Sequence, residues 1–199
     1  MQPSSLILAS TSRYRKRLLE RLDLPFRTVA PGVPETANPD EAPADLALRL
    51  SEAKASAVSE RYPEALVIGS DQVASLDGRR LGKPGTDVNA RKQLLACRGR
   101  SVFFYTGICL VRSGSLCESA CAKTEVVFRD LSEAQIADYV TREQPLDCAG
   151  SFRWEALGIA LFRTLRCDDP TALEGLPLIQ LTSMLEAQGL HILNTTADS

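Results

Sequence analysis

The chain has 199 residues, a formal net charge of -2 and a sequence pI near 5.6, with 44% hydrophobic and 24% charged residues. Such a composition supports a buried core and excludes a protein that coats nucleic acid through its overall field, so an anion site must be a local basic cluster. The start "MQPSSLILAS" lacks a basic segment followed by a long apolar one, and "SVFFYTGICLV" is too short to span a bilayer.

A cytoplasmic protein is therefore expected, with residues 1–199 forming one domain or two intimate lobes. "SSLILAS" reads as a buried strand, and Ser10 or Ser12 can cap a helix starting near Arg13. "FRTVAP" reads as a second strand, "GVPETANPDEAP" as a turn-rich loop, and residues 44–61 as a helix. "ALVIGSDQV" is apolar on both faces before "GSD", as in a central strand. Asp77-Gly78 signals a hairpin, with Lys83 held in "GKPG". A helix over 87–97 precedes two long strands near 101–112 and 116–129. Ser132 and Gln135 form a capping box for the next helix. A loop "DCAGSFRWEALG", a strand "IALFRTL" and a helix from 177 to 188 closed by Gly189 complete the chain. Alternating helices and strands with a long hairpin predict an α/β (mixed α+β) protein on a mixed sheet.

Several residues are hard to explain by structure alone. Residues 13–21 hold Arg13, Arg15, Lys16, Arg17 and Arg21. With Arg13 at zero, Tyr14, Leu18, Leu19 and Leu22 fall on one arc of the helix, from about 100° to 240°. Arg15, at about 200°, points with the leucines, whereas the other cations suit a solvated face. A core-directed charge needs a partner or reaches past the helix start to an anion, where backbone N–H groups also point. Lys54 falls inside the apolar arc of the second helix in the same way. Asp71 follows the apolar run, where open α/β sheets place ligand chemistry. Glu35 stands in a loop and Lys83 in a constrained one. The sole histidine, His191, lies in the tail, which leaves carboxylates, cations and an oxygen-bound metal for catalysis. The six cysteines lack a CxxC pair and read as reduced. This inventory suits a triphosphate with Mg²⁺ and a carboxylate-activated water.

"LILASTSRYR", "PET", "AKA" around Lys54, "GSDQV", "LDGRRLGKPG", "YTG" and "CAGSF" together resemble the Maf family of nucleotide pyrophosphatases over residues 5–190. The resemblance implies an elongated mixed sheet flanked by helices, with two lobes around a deep cleft, as in inosine triphosphatase. It implies hydrolysis between the α and β phosphates of a nucleoside triphosphate with a divalent cation, Mg²⁺ or Mn²⁺. Ser10, Arg13, Glu35, Lys54, Asp71 and Lys83 fall on positions the family uses. Asp71 matches the proton acceptor, Glu35 would share the metal with Asp71 or orient the water, and the cations would hold phosphates. Arg15 is added from its helix position, and the phosphate contact stays open between Arg13 and Arg15.

Tyr14, Gln72 and Glu155 resemble the branch that hydrolyses 7-methyl-GTP rather than the dTTP/UTP branch. A cationic 7-methylguanine could stack on Tyr14 or Trp154, and Glu155 could accept from its N1–H and N2–H₂ edge. Trp154 fits simple loop packing as well. Pro34 and Gly32 stand where that branch commonly carries acidic residues, which weakens the expectation of a metal at this loop. The remaining alternatives are a dTTP/UTP pyrophosphatase and a nucleotide-binding regulator of cell division. The expected partner is a small nucleotide, with no nucleic acid or membrane, and the resemblance adds a homodimer.

Overall fold

The computed structural model describes residues 5–193. Its elements are β1 (Leu6–Leu8), α1 (Arg13–Glu20), β2 (Phe26–Thr28), α2 (Pro43–Ser59), β3 (Leu66–Leu76), β4 (Arg79–Leu81), α3 (Asp87–Cys97), β5 (Ser101–Arg112), β6 (Ser115–Phe128), α4 (Glu133–Glu143), β7 (Phe162–Arg166) and α5 (Leu178–Ala187). One mixed sheet has the order β2-β1-β3-β5-β6-β7, with β4 beside β3. β1 pairs in parallel with β2 and β3, while the β3–β4, β3–β5, β5–β6 and β6–β7 pairs are antiparallel. This is the mixed α/β class that the sequence predicts.

The long strands β3, β5 and β6 carry two lobes. At one end the strand period of two separates two faces. Leu6, Leu8, Leu66, Ile68, Ile108 and Leu110 meet α1 and α5 through Leu18, Leu19, Leu181 and Met184. On the opposite face Ile7, Val67, Cys109 and Val111 meet Ala55 and Val58 of α2. At the other end, Ala74, Leu76, Val102, Phe104, Val126 and Phe128 pack against α3 and α4. Phe104, Phe128, Phe152 and Phe162 are joined there by edge-to-face contacts, with centroids 4.8–5.7 Å apart. Transfer from water of so much apolar surface holds each lobe together.

The space between the lobes arises from strand lengths. β1 pairs with β3 only through Ile68, and β4 joins the same side of β3 only at Ala74. Between those points β3 has no strand partner on that side, whereas β5 pairs with it continuously from Leu66 to Ser75. A cleft of about 920 Å³ opens at this gap, with Ser10 to Arg15 at one end and Arg80 to Lys83 at the other.

Two glycines bring α2 close to the sheet. A Cβ at Gly69 in β3 would overlap the Ser51 carbonyl oxygen, and one at Gly107 in β5 would overlap that of Ala47. Gly107 is also the register partner of Asp71. We expect Gly107→Val to displace α2 and destabilise the fold by about 3 kcal/mol, the upper range for overpacking. A thermal unfolding midpoint unchanged from wild type would contradict this.

Two boundaries differ from the sequence reading. Asp71 lies inside β3 rather than at its end, because pairing with β5 carries the strand on to Leu76. Ile159 to Leu161 belong to a 3-10 helix, not to the strand expected from residue 159. Pairing with β6 begins only at Phe162, and the Gly158 N–H donates back to the Arg153 carbonyl.

Candidate active site

Side-chain alternation along β3 builds the site. Gly69, Asp71 and Val73 face α2, which lies close because of the two glycines, and α2 answers with Lys54. Lys54 Nζ donates to Asp71 Oδ1 at 2.6 Å and contacts Glu35 Oε1 at 2.5 Å. Lys54 and Asp71 are 4% and 8% exposed, whereas the Glu35 side chain is 62% exposed. The Lys54 ammonium holds the Glu35 carboxyl below its usual range, against partial desolvation. No protein donor reaches Asp71 Oδ2 among the described residues. Asp71 thus has one oxygen fixed by a cation and one available to a ligand.

The Glu35 loop is held by a fork. Arg49 of α2 donates through Nε and Nη2 to the Glu41 carboxylate, and through Nη2 to the Thr36 carbonyl at 3.1 Å. Hydrogen bonds from Arg49 lower the Glu41 pKa to about 2. A carboxyl depressed in the folded state contributes stability above its unfolded pKa of about 4.5. That contribution disappears as pH falls through about 2. We expect the melting-temperature gap between wild type and Arg49→Met to be widest near neutral pH and to close between pH 4.5 and 2. A gap constant with pH would contradict the assignment.

On α1, Ser12 caps the helix by accepting from the Arg15 N–H, and Ser10 is buried with its Oγ accepting from the Ser12 N–H. Arg15 turns into the cleft. Its Nε donates to the Gly175 carbonyl at 2.8 Å, and burial lowers its pKa while Asp71 and Glu35 oppose that shift. Arg13 is exposed instead, reaching Asp147 at 3.4 Å and covering the Tyr14 ring at 4.9 Å. Tyr14 meets the opposite lobe through Asp147 and Cys148. Lys83 is exposed at the far end and close enough to lower the Glu35 pKa. Trp154 packs against the α3/α4 core and also lines the cleft beside exposed Glu155.

Gln72 does something the sequence does not suggest. Its Nε2 donates to the carbonyls of Ala172 at 2.8 Å and Leu173 at 3.1 Å, and to Thr106 Oγ1. The side chain at this branch-marking position is thus bonded to a turn of the chain. Two further cleft residues escape the sequence reading, Arg80 and Glu174. Arg80 stands in the quoted "LDGRRLGKPG" run three residues before Lys83. Glu174 is a single carboxylate in the apolar stretch "ALEGLPLI", a signal of the same kind that marks Lys54.

All six cysteines are free. Burial pushes the Cys97, Cys109 and Cys148 thiols up to about 12, so each is protonated near neutral pH. Cys117 and Cys121 are exposed.

The family model for Maf-like proteins matches residues 5–188. The chain belongs to the Maf family. A 7-methyl-GTP pyrophosphatase of Aromatoleum aromaticum is 55% identical over 193 residues, covering 96% of this chain and 98% of that one. A protein of the same description from Nitrosococcus oceani is 53% identical, with 96% of each chain covered. Among solved structures, a HAM1 protein from Coxiella burnetii matches with TM-score 0.51 and 17% identity, over 93% of this Maf chain and all of the other. That likeness concerns the fold, namely the helix-flanked sheet around a cleft. No helix among the described residues of the Maf chain is long and apolar enough to cross a membrane.

Proposed function

We propose that this protein hydrolyses 7-methyl-GTP to 7-methyl-GMP and pyrophosphate. The observation that carries the reading is the charge separation in the cleft around the Lys54–Asp71–Glu35 centre. Arg15, Arg80 and Lys83 line the cleft and form no ion pair among the described residues, so they are available to a phosphate chain. Arg15 joins Ser10 and the start of α1 at the phosphate end, while Arg13 is engaged with Asp147. The names of the relatives support the same substrate.

In this reading water adds across the α–β anhydride. Its oxygen bonds to phosphorus, one proton passes to Asp71 Oδ2, and the bridging P–O bond breaks with pyrophosphate as leaving group. Lys54 fixes the other Asp71 oxygen, so the base cannot rotate away from the water. Arg15, Arg80 and Lys83 offset the charge gathering on the pyrophosphate.

A divalent cation fits this centre. Mg²⁺ is commonly bound by one or two carboxylates, with phosphate oxygens and water completing its shell. Glu35 and Asp71 both reach Lys54 Nζ, and the carboxylate oxygens that Lys54 does not hold would supply those ligands. When bound, the cation would neutralise phosphate charge.

Phosphorus NMR of the products tests the bond assignment. We expect pyrophosphate and 7-methyl-GMP in equal amounts. Orthophosphate with 7-methyl-GDP would refute cleavage between the α and β phosphates.

A further inference from the structure

Five carboxylates line the cleft, and they divide in two. Glu35 and Asp71 are paired with Lys54, and Asp147 with Arg13. Glu155 and Glu174 have no ion-pair partner among the described residues. Both line the same cleft, where burial and the Glu155 charge raise the Glu174 pKa and Arg21 lowers it. Placing two like charges in one cleft without an ion pair costs stability. A site that retains them is suited to a positively charged ligand.

Glu174 stands on a turn held from several directions. The Asp169 carboxylate accepts from the Thr171 N–H at 3.0 Å, the Thr171 hydroxyl at 2.6 Å and the Ile179 N–H at 2.7 Å. Three side chains on one face of β3 and β5 grip the turn's carbonyls. Gln72 and Thr106 donate to Ala172, Gln72 also to Leu173, and Ser70 to Gly175 at 2.8 Å. Arg15 donates to the same Gly175 oxygen. Gly175 has φ +105°, and a Cβ there would sit 3.3 Å from Arg15 Nε. So the turn that presents Glu174 also seats the cation at the phosphate end. Its position is fixed by hydrogen bonds before any ligand arrives.

We infer that Glu174 is a specificity residue, forming with Glu155 an anionic pair that favours a cationic purine, and that Gln72 is a positioning residue acting through the turn. The inference rests on the 7-methyl-GTP reading. Methylation at N7 gives the guanine ring a positive charge that GTP lacks, while both offer the same N1–H and N2–H₂ donors. Carboxylates paired with those donors serve both bases, and their charge favours the methylated one.

The test is the ratio of kcat/KM for 7-methyl-GTP to kcat/KM for GTP, measured in one preparation so that the folded fraction cancels. Glu174→Gln keeps the shape of the side chain and removes its charge. We expect the ratio to fall roughly tenfold, the scale of one well-placed contact. Gln72→Ala should lower the ratio similarly, and Gln72→Ala with Glu174→Gln should lower it no further than either alone. A Gln72 side chain that merely stabilised the fold would leave the ratio untouched. If wild type prefers 7-methyl-GTP and Glu174→Gln keeps the full preference, the role of Glu174 is overturned while the substrate reading stands. If the two single effects multiply in the double variant, Gln72 does not act through Glu174. If wild type shows no preference over GTP, the substrate reading fails and this inference falls with it.

Discussion

Asp71→Asn is expected to lower pyrophosphate release from 7-methyl-GTP by about 10³-fold, within the usual range for loss of a general base. The amide keeps the shape of the carboxylate but cannot take the proton from water. Asp71 lies in the sheet with β5 along its backbone and Lys54 on its side chain, so little movement is available to recruit another base. Nucleotide binding should persist, because Arg15, Arg80 and Lys83 are untouched. The result separates an enzyme from a regulator that only binds nucleotide. A variant with more than about a tenth of wild-type turnover would place the base elsewhere.

Lys54→Met has a different signature, because it acts on stability as well as turnover. Methionine nearly matches the stem of lysine and removes the charge. Asp71 is then buried without a partner, and Glu35 loses the cation that draws its loop inward. Breaking a buried pair by deleting one member costs about 3–5 kcal/mol, and the lower end applies since Glu35 is largely solvated. Urea unfolding should show the midpoint displaced accordingly. Adding Asp71→Asn to Lys54→Met should recover part of the loss, since no uncompensated charge is left inside. A single variant as stable as wild type would mean that the Lys54–Asp71 pair does not hold the fold.

The elements legible in the sequence were those with strong local signals. The Ser132–Gln135 capping box starts α4 where its spacing requires, and Thr86 caps the helix that begins at Asp87. Arg15 and Lys54 stand out because 3.6-residue periodicity puts a charge where apolar side chains belong, and both line the cleft. What sequence could not give was pairing. The extension of β3 past Asp71 depends on a partner strand some thirty residues later, and no local pattern marks it. The surroundings of Arg13 and Arg15 separate only in the fold, where Asp147 of the opposite lobe meets one and the Gly175 carbonyl the other. Gln72 likewise finds its acceptors a hundred residues along the chain.

In the proposed reaction the unpaired cations of the cleft take the phosphates and its unpaired anions take a charged base. Pyrophosphate release by the wild-type protein from 7-methyl-GTP, GTP, UTP and dTTP with Mg²⁺ tests it most directly. The predicted result is kcat/KM for 7-methyl-GTP at least about tenfold above each of the others, the scale of one well-placed charged contact. Equal or faster turnover of UTP or dTTP would contradict it.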